Sequence, residues 1–204
     1  MVRVTTRALV LIAVSACLAA PAVASTGGTY TFAGPGTLND LDHYHFYTWG
    51  IDWTLPGDEG ITSATLTFHD IWDWQPETDF LWVNLLDDAP SGLADFGYNS
   101  KDKGELNAYE EELAAGTGVA LPGSPWDDPN GGDPSLATTV SFDVPFAYFG
   151  WMSDGNFGFG IDPDCHYYDG GVDLVIKTAP ELPPVLLLTA VPVMGMVIGR
   201  FRRR

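Results

Sequence analysis

Ile61-Thr62-Ser63-Ala64-Thr65-Leu66-Thr67-Phe68-His69-Asp70-Ile71 is the stretch on which the fold turns. Ala64, Leu66 and Phe68 fall on one face, and Thr65, Thr67 and His69 on the other. That period of two belongs to a strand with one buried side. Downstream, Phe80-Leu81-Trp82-Val83-Asn84-Leu85-Leu86 is an apolar run bounded by acids, as expected of a strand covered on both faces. Upstream, His43 to Trp53 is long and rich in aromatics, as a strand near a sheet centre would be. Thr138–Val144, Asn156–Ile161 and Val172–Thr178 repeat the pattern. Turn clusters separate them: Pro56-Gly57-Asp58, Pro90-Ser91-Gly92, the Asp127 to Pro134 run, and Asp169-Gly170-Gly171. Only Glu105 to Ala115 reads as helical. Seven or more strands at this spacing predict an all-β fold, an antiparallel β-sandwich of jelly-roll-like form.

The chain carries 27 acidic and 9 basic residues, a formal net charge of −18. Between its two ends the bases are Lys101, Lys103 and Lys177 alone. Phosphate recognition needs Lys and Arg, so nucleic acid is not an expected partner. The acidity suits solvation outside a cell, or neutralisation by cations.

Both ends read as membrane addresses. Arg3 and Arg7 precede an apolar segment from Ala8 to Ala20, and Ala22-Val23-Ala24 offers a signal-peptidase site before Ser25. Val14-Ser15-Ala16-Cys17 resembles a lipobox with Cys17 as the lipidated residue, but Leu18, Ala19 and Ala20 keep the chain apolar where such a sequence turns polar. At the other end, Pro180, Glu181, Pro183 and Pro184 lead into an apolar run from Leu182 to Gly199, closed by Arg200, Arg202, Arg203 and Arg204. The run is at the lower limit of the roughly 17–25 residues that cross a bilayer, and the arginines would stay cytoplasmic. These features divide the chain into a signal peptide (1–24), a β-sandwich domain (25–180) and a C-terminal transmembrane anchor (181–204). With cleavage before Ser25, Cys165 is left without a disulfide partner.

The tail resembles the PEP-CTERM sorting signal of Gram-negative bacteria, although Pro180-Glu181-Leu182-Pro183-Pro184 departs from the usual Pro-Glu-Pro lead-in. Three internal stretches resemble the exported domain that precedes such tails: His43–Trp53, Ile61–Phe68 and Asp154–Tyr168. The resemblance implies an exosortase-type processing enzyme as partner, passage through the inner membrane, and delivery to the cell surface or extracellular matrix. It supplies no catalytic residues.

Four candidate sites follow from the residues. Asp162, Asp164, Asp169 and Asp173 crowd one glycine-bearing loop, and Asp70 or Asp73 could join from a neighbouring strand. Closely spaced carboxylates and loop carbonyls are what calcium requires. The plainer reading is that these aspartates cap turns. His43 and His45 share one face of their expected strand, and His69 or His166 could complete a zinc or copper site. Cys165 reads as a small buried residue, with no Lys or Arg nearby to activate it. Trp72, Trp74 and Trp126 fall in loop-like settings where indoles could stack on sugars, whereas Trp49, Trp53 and Trp82 read as core.

No Gly-x-Ser-x-Gly, phosphate loop or dinucleotide fingerprint is present, and the abundant carboxylates single out no hydrolase pair. The expectation is a non-enzymatic structural or adhesive component of the envelope or matrix. Its alternative is a calcium-assisted carbohydrate-binding module with polysaccharide as the partner.

Overall fold

The structure, a computed structural model, describes residues 26–43, 45–95 and 118–181. The expected helix at Glu105–Ala115, the expected export signal at 1–24 and the expected membrane tail beyond Glu181 lie outside the described residues. Among the described residues no helix is long and apolar enough to cross a membrane.

The described chain is all-β and antiparallel, in two six-stranded sheets. The first runs β1 (Thr29–Ala33), β12 (Gly171–Pro180), β4 (Glu59–Asp73), β11 (Tyr167–Tyr168) and β2 (Asp40–Leu41), with β9 (Thr138–Asp143) also on β4. The second runs β6 (Gly92–Asp95), β3 (Tyr47–Asp52), β10 (Asn156–Pro163), β5 (Phe80–Leu86) and β7 (Gly118–Ala120), with β8 (Trp126–Asp127) also on β5. A short helix, α1 (Phe149–Ser153), leads into β10. One core cluster draws on both sheets: Leu66, Phe68, Phe142 and Leu174 from the first, and Val83, Leu85, Phe157 and Phe159 from the second.

The strand from Glu59 to Asp73 shows why this sequence makes a sheet. Ala64, Leu66 and Phe68 are buried as the alternation predicts. On the outer face Thr65 donates to Asp143 at 2.7 Å, and Thr67 meets Ser141 at 3.1 Å. The strand also breaks its own period twice. Its pairing with β12 shifts between Lys177 and Thr178, opposite Ile61–Ser63. Its pairing with β9 shifts between Phe68 and Ile71, where Asp70 adopts φ +49°. Such a bulge moves every later side chain to the opposite face. Beyond it Ile71 and Asp73 are buried, while Trp72 is half-exposed and Trp74 exposed. The strands across from it change face in step: Tyr167 is buried on β11 and Val172 on β12, with Gly171 at φ +134° between them.

One expectation is corrected here. The aromatic strand begins at Tyr47 rather than His43, and it lies second from the edge of its sheet, with β10 at the centre. Pro180, where the expected domain ends, pairs with Glu59, and the N–H of Glu181, the first residue of the expected anchor, donates to the Asp58 carbonyl at 2.9 Å.

The second sheet is covered on part of its outer face as well. Leu86 and Ala89 form a small cluster of their own. The Ala89–Pro90 backbone lies on Gly50 and Gly158, paired across β3 and β10. A Cβ at Gly50 would sit 1.9 Å from the Pro90 carbonyl oxygen, and one at Gly158 would sit 2.6 Å from the Ala89 Cβ. Only hydrogen fits there, which explains why β5 is apolar on both faces at its end.

Gly50→Ala is therefore expected to destabilise the fold by about 1–3 kcal/mol, the range for forced overpacking. Gly36→Ala meets no atom within 4 Å and should stay within about 0.5 kcal/mol of the parent. Urea titrations of the two variants check this, and equal midpoints would contradict it. At the bulge, Asp70→Val should cost about 1–2 kcal/mol, since a β-branched residue tolerates the left-handed region poorly. Asp70→Asn or Asp70→Gly should be tolerated, and a Val variant as stable as the Asn variant would show that the bulge relaxes.

Candidate functional site

The bulge at Asp70 sets up two rows of side chains on three adjacent strands. Leu41, Tyr167 and Asp73 are paired neighbours on β2, β11 and β4, and all three are buried. Asp40, Tyr168 and Trp72 form the next row, on the outer face. Adjacent residues on a strand point to opposite sides, so the same two segments build a surface outside and a polar cluster inside.

Outside, the aromatic rings form a continuous strip. Trp72 stacks on Tyr168 with centroids 5.1 Å apart and planes at 26°. Tyr168 stacks on His166 at 4.7 Å and 24°, and Trp74 lies 5.8 Å from His166. Trp74 is 46% exposed and is tied to the strip by its own N–H, which donates to the His166 carbonyl at 3.1 Å. His166 Nε2 meets Asp40 Oδ1 at 2.5 Å, and His43 lies beside His166 at 6.4 Å between centroids. Ligand atoms of Asp42, His43 and His166 all come within 4.8 Å of one another.

Inside, Asp73, Asp79 and Cys165 bring a second set of ligand atoms within 4.8 Å. The main chain holds Asp73 tightly. Its N–H donates to Asp128 Oδ2 at 3.0 Å, its carbonyl accepts from Gly132 at 2.8 Å, and its Oδ1 accepts from the Gln75 N–H at 3.0 Å. Burial raises the Asp73 pKa to about 6, with the Asp79 charge adding to the shift. Burial likewise pushes up the Cys165 thiol, and Asp79 and Asp73 add to it. The Tyr167 hydroxyl is raised first by burial, then by the charges of Asp73, Asp164 and Asp79.

The residues expected from sequence are distributed as follows. The calcium set does not converge: Asp162 is on β10 in the second sheet, opposite Trp82, while Asp173 and Asp70 are on β12 and β4 in the first. Asp164 accepts a hydrogen bond from the distant Phe80 N–H at the start of β5, which ties two segments together, and Asp169 Oδ1 accepts from Gly171 at 2.7 Å, a turn-closing role. Asp173 pairs with His69 at 3.4 Å. The reason is the face change between β10 and β12, which turns residues close in sequence toward different sheets. The histidine set divides too. His43 and His166 do meet, but His45 turns to Asp95 at 2.7 Å, because β3 starts only at Tyr47, and His69 on β4 turns to Asp173 on the adjacent β12. Trp72 lies on β4 rather than in a loop, and Trp74 directly follows that strand. Trp126 lies on β8 and packs against the core, its ring 5.9 Å from the buried Tyr167, so it is not part of the strip. Cys165 is buried, as expected. Tyr168 in the strip and Asp79 in the inner cluster were not anticipated. The alternation in Trp72-Asp73-Trp74 and in Cys165-His166-Tyr167-Tyr168 is the signal that pairs them. No family model, curated protein or solved structure matches the chain.

The pH response of the domain follows from Asp73, described above, and from Asp169. The Asp169 pKa is raised to about 6 by burial, against a lowering by the Gly171 N–H and His69. A folded pKa above the ordinary value means the native state holds the proton more tightly. The associated stability is fully present below about pH 4 and is lost as pH rises through 6. The melting temperature should therefore rise on going from about pH 7.5 to 5, and Asp169→Asn should flatten that rise. Identical pH slopes for the parent and Asp169→Asn would refute the assignment.

Proposed function

We propose that the protein is an exported β-sandwich of jelly-roll-like form that acts at the cell surface or in the extracellular matrix. In this reading it is a non-enzymatic adhesive module whose contact with polysaccharide is the strip Trp72, Tyr168, His166 and Trp74. The observation that carries this is the strip itself: aromatic faces in a row on the outer side of a sheet, ending in an indole that is 46% exposed. Aromatic rings offer apolar area at little entropic cost, and the C–H face of a sugar ring is a matching apolar surface. Asp40 and Asp42 stand beside the strip as acceptors for sugar hydroxyls. The acidity of the domain supports a neutral or cation-bridged glycan over an anionic one. The N-terminal segment serves in this reading as a signal peptide. The tail from Leu182 serves as a transient inner-membrane anchor, presented to an exosortase-type enzyme.

Retention on a panel of insoluble polysaccharides, with calcium and with chelator, tests the proposal. The parent should be retained, and Trp74→Ala should weaken binding about tenfold, or about 1.4 kcal/mol. Trp82→Ala, in the other sheet, should leave retention unchanged. Absence of retention on every polysaccharide, or equal retention of the parent and Trp74→Ala, would refute the strip as a glycan surface.

A further inference from the structure

The inner row beneath the strip holds buried polar atoms whose partners are missing. Asp73 is 1% exposed and Tyr167 0% exposed. Asp73 Oδ2, Asp79 Oδ2 and the Tyr167 hydroxyl are buried without a hydrogen-bond partner. An unsatisfied buried polar group costs about 1–3 kcal/mol, and more when charged. Here three sit together, with the Cys165 sulfur among them. Two carboxylates cannot hydrogen-bond each other without a proton or a cation between them. Among the described residues no Lys or Arg is at hand: Lys177, the one they contain, lies on β12 opposite Ser63.

We propose that Asp73, Asp79 and Cys165 form a site for a divalent transition-metal ion of the zinc class, with the Tyr167 hydroxyl as a neighbouring donor. The donor set selects the metal. A thiolate is a soft ligand that calcium and magnesium avoid, whereas zinc accepts sulfur and carboxylate oxygen together. Calcium would also need six to eight oxygens, more than this cluster offers. The two carboxylates and the thiolate carry three negative charges, and a divalent ion offsets two of them. Binding requires the thiol proton, and any proton on the carboxyl pair, to pass to solvent.

The position of the site explains its use. Asp73 ends β4, Asp79 lies in the turn before β5, and Cys165 follows β10, so one ion joins three segments. Trp72, Trp74 and His166 are their immediate chain neighbours and form the outer strip. A domain whose one cysteine among the described residues is free gains from this ion the cross-link that a disulfide would otherwise supply.

The test uses the full chain, expressed in cobalt-supplemented medium so that the ion is present during folding, and purified in detergent. The parent should retain about one cobalt per chain, with a sulfur-to-cobalt charge-transfer band that zinc abolishes on exchange. Cys165→Ser should lose the band, and Asp79→Asn should lower cobalt affinity at least tenfold. Zinc should raise the melting temperature of the parent more than that of either variant. Two results would overturn the proposal. One is a parent that retains no more cobalt than the Cys165→Ser/Asp79→Asn double variant. The other is cobalt lacking a sulfur band, insensitive to Cys165→Ser and lost in His43→Ala, which would put the ion on the outer Asp42–His43–His166 group.

Discussion

The left-handed backbone at Asp70 is the constraint on which the site depends. From Ala64 to Phe68, β4 places even-numbered residues inside; after the bulge it places odd-numbered ones there. Continued without the bulge, the alternation would have turned Trp72 and Trp74 into the core and exposed Asp73. The bulge reverses both outcomes, placing two indoles on the surface and a carboxylate in the interior. The change is tolerated because the opposing strands change face at the same level, where Asp169 accepts from the Gly171 N–H and the Gly170 N–H donates to the His69 carbonyl at 2.6 Å. A conformation that costs a non-glycine residue some stability thereby gives this end of the sheet its chemistry.

Acidity is the second organising fact. With so few cations, the aspartates turn to other partners. Asp128, Asp133 and Asp169 accept main-chain N–H groups in turns, and Asp164 accepts one from the distant Phe80. Asp40, Asp95 and Asp173 face histidines. Asp73 and Asp79 have neither solution for their inner oxygens, as Asp169 has none for its Oδ2, but the first two adjoin each other and a thiol. The turn-capping role that competed with calcium in the sequence is the one Asp169 takes through its Oδ1, while Asp164 holds the main chain of a distant strand.

Much of the fold was legible because burial has a period. Ala64, Leu66 and Phe68 alternate with Thr65 and Thr67, and the run from Phe80 to Leu86 admits little but a strand. Thr138, Asn156 and Val172 each lie at or within one residue of an observed strand start. The histidine pair was less legible. His43 and His45 alternate as a strand would, but the chain turns at His43, and the hydrogen bond from the His45 N–H to the Asp42 carbonyl at 3.0 Å closes that turn. Local pattern could not separate a strand from a turn feeding one.

The amino-acid sequence by itself determined the all-β antiparallel class, the positions of most strands, the buried state of Cys165 and the scarcity of cations among the described residues. These depend on local periodicity and composition, which need no knowledge of what lies across the sheet. Tertiary structure alone decided which aspartates meet, which tryptophans reach solvent, and which two of the four histidines stand together. Each of those outcomes rests on a register shift or a pairing between residues far apart in the chain, such as Asp73 with Tyr167 and Leu81 with Trp126. A single-residue bulge reverses the facing of every side chain beyond it, and no hydropathy pattern records on which strand the bulge falls.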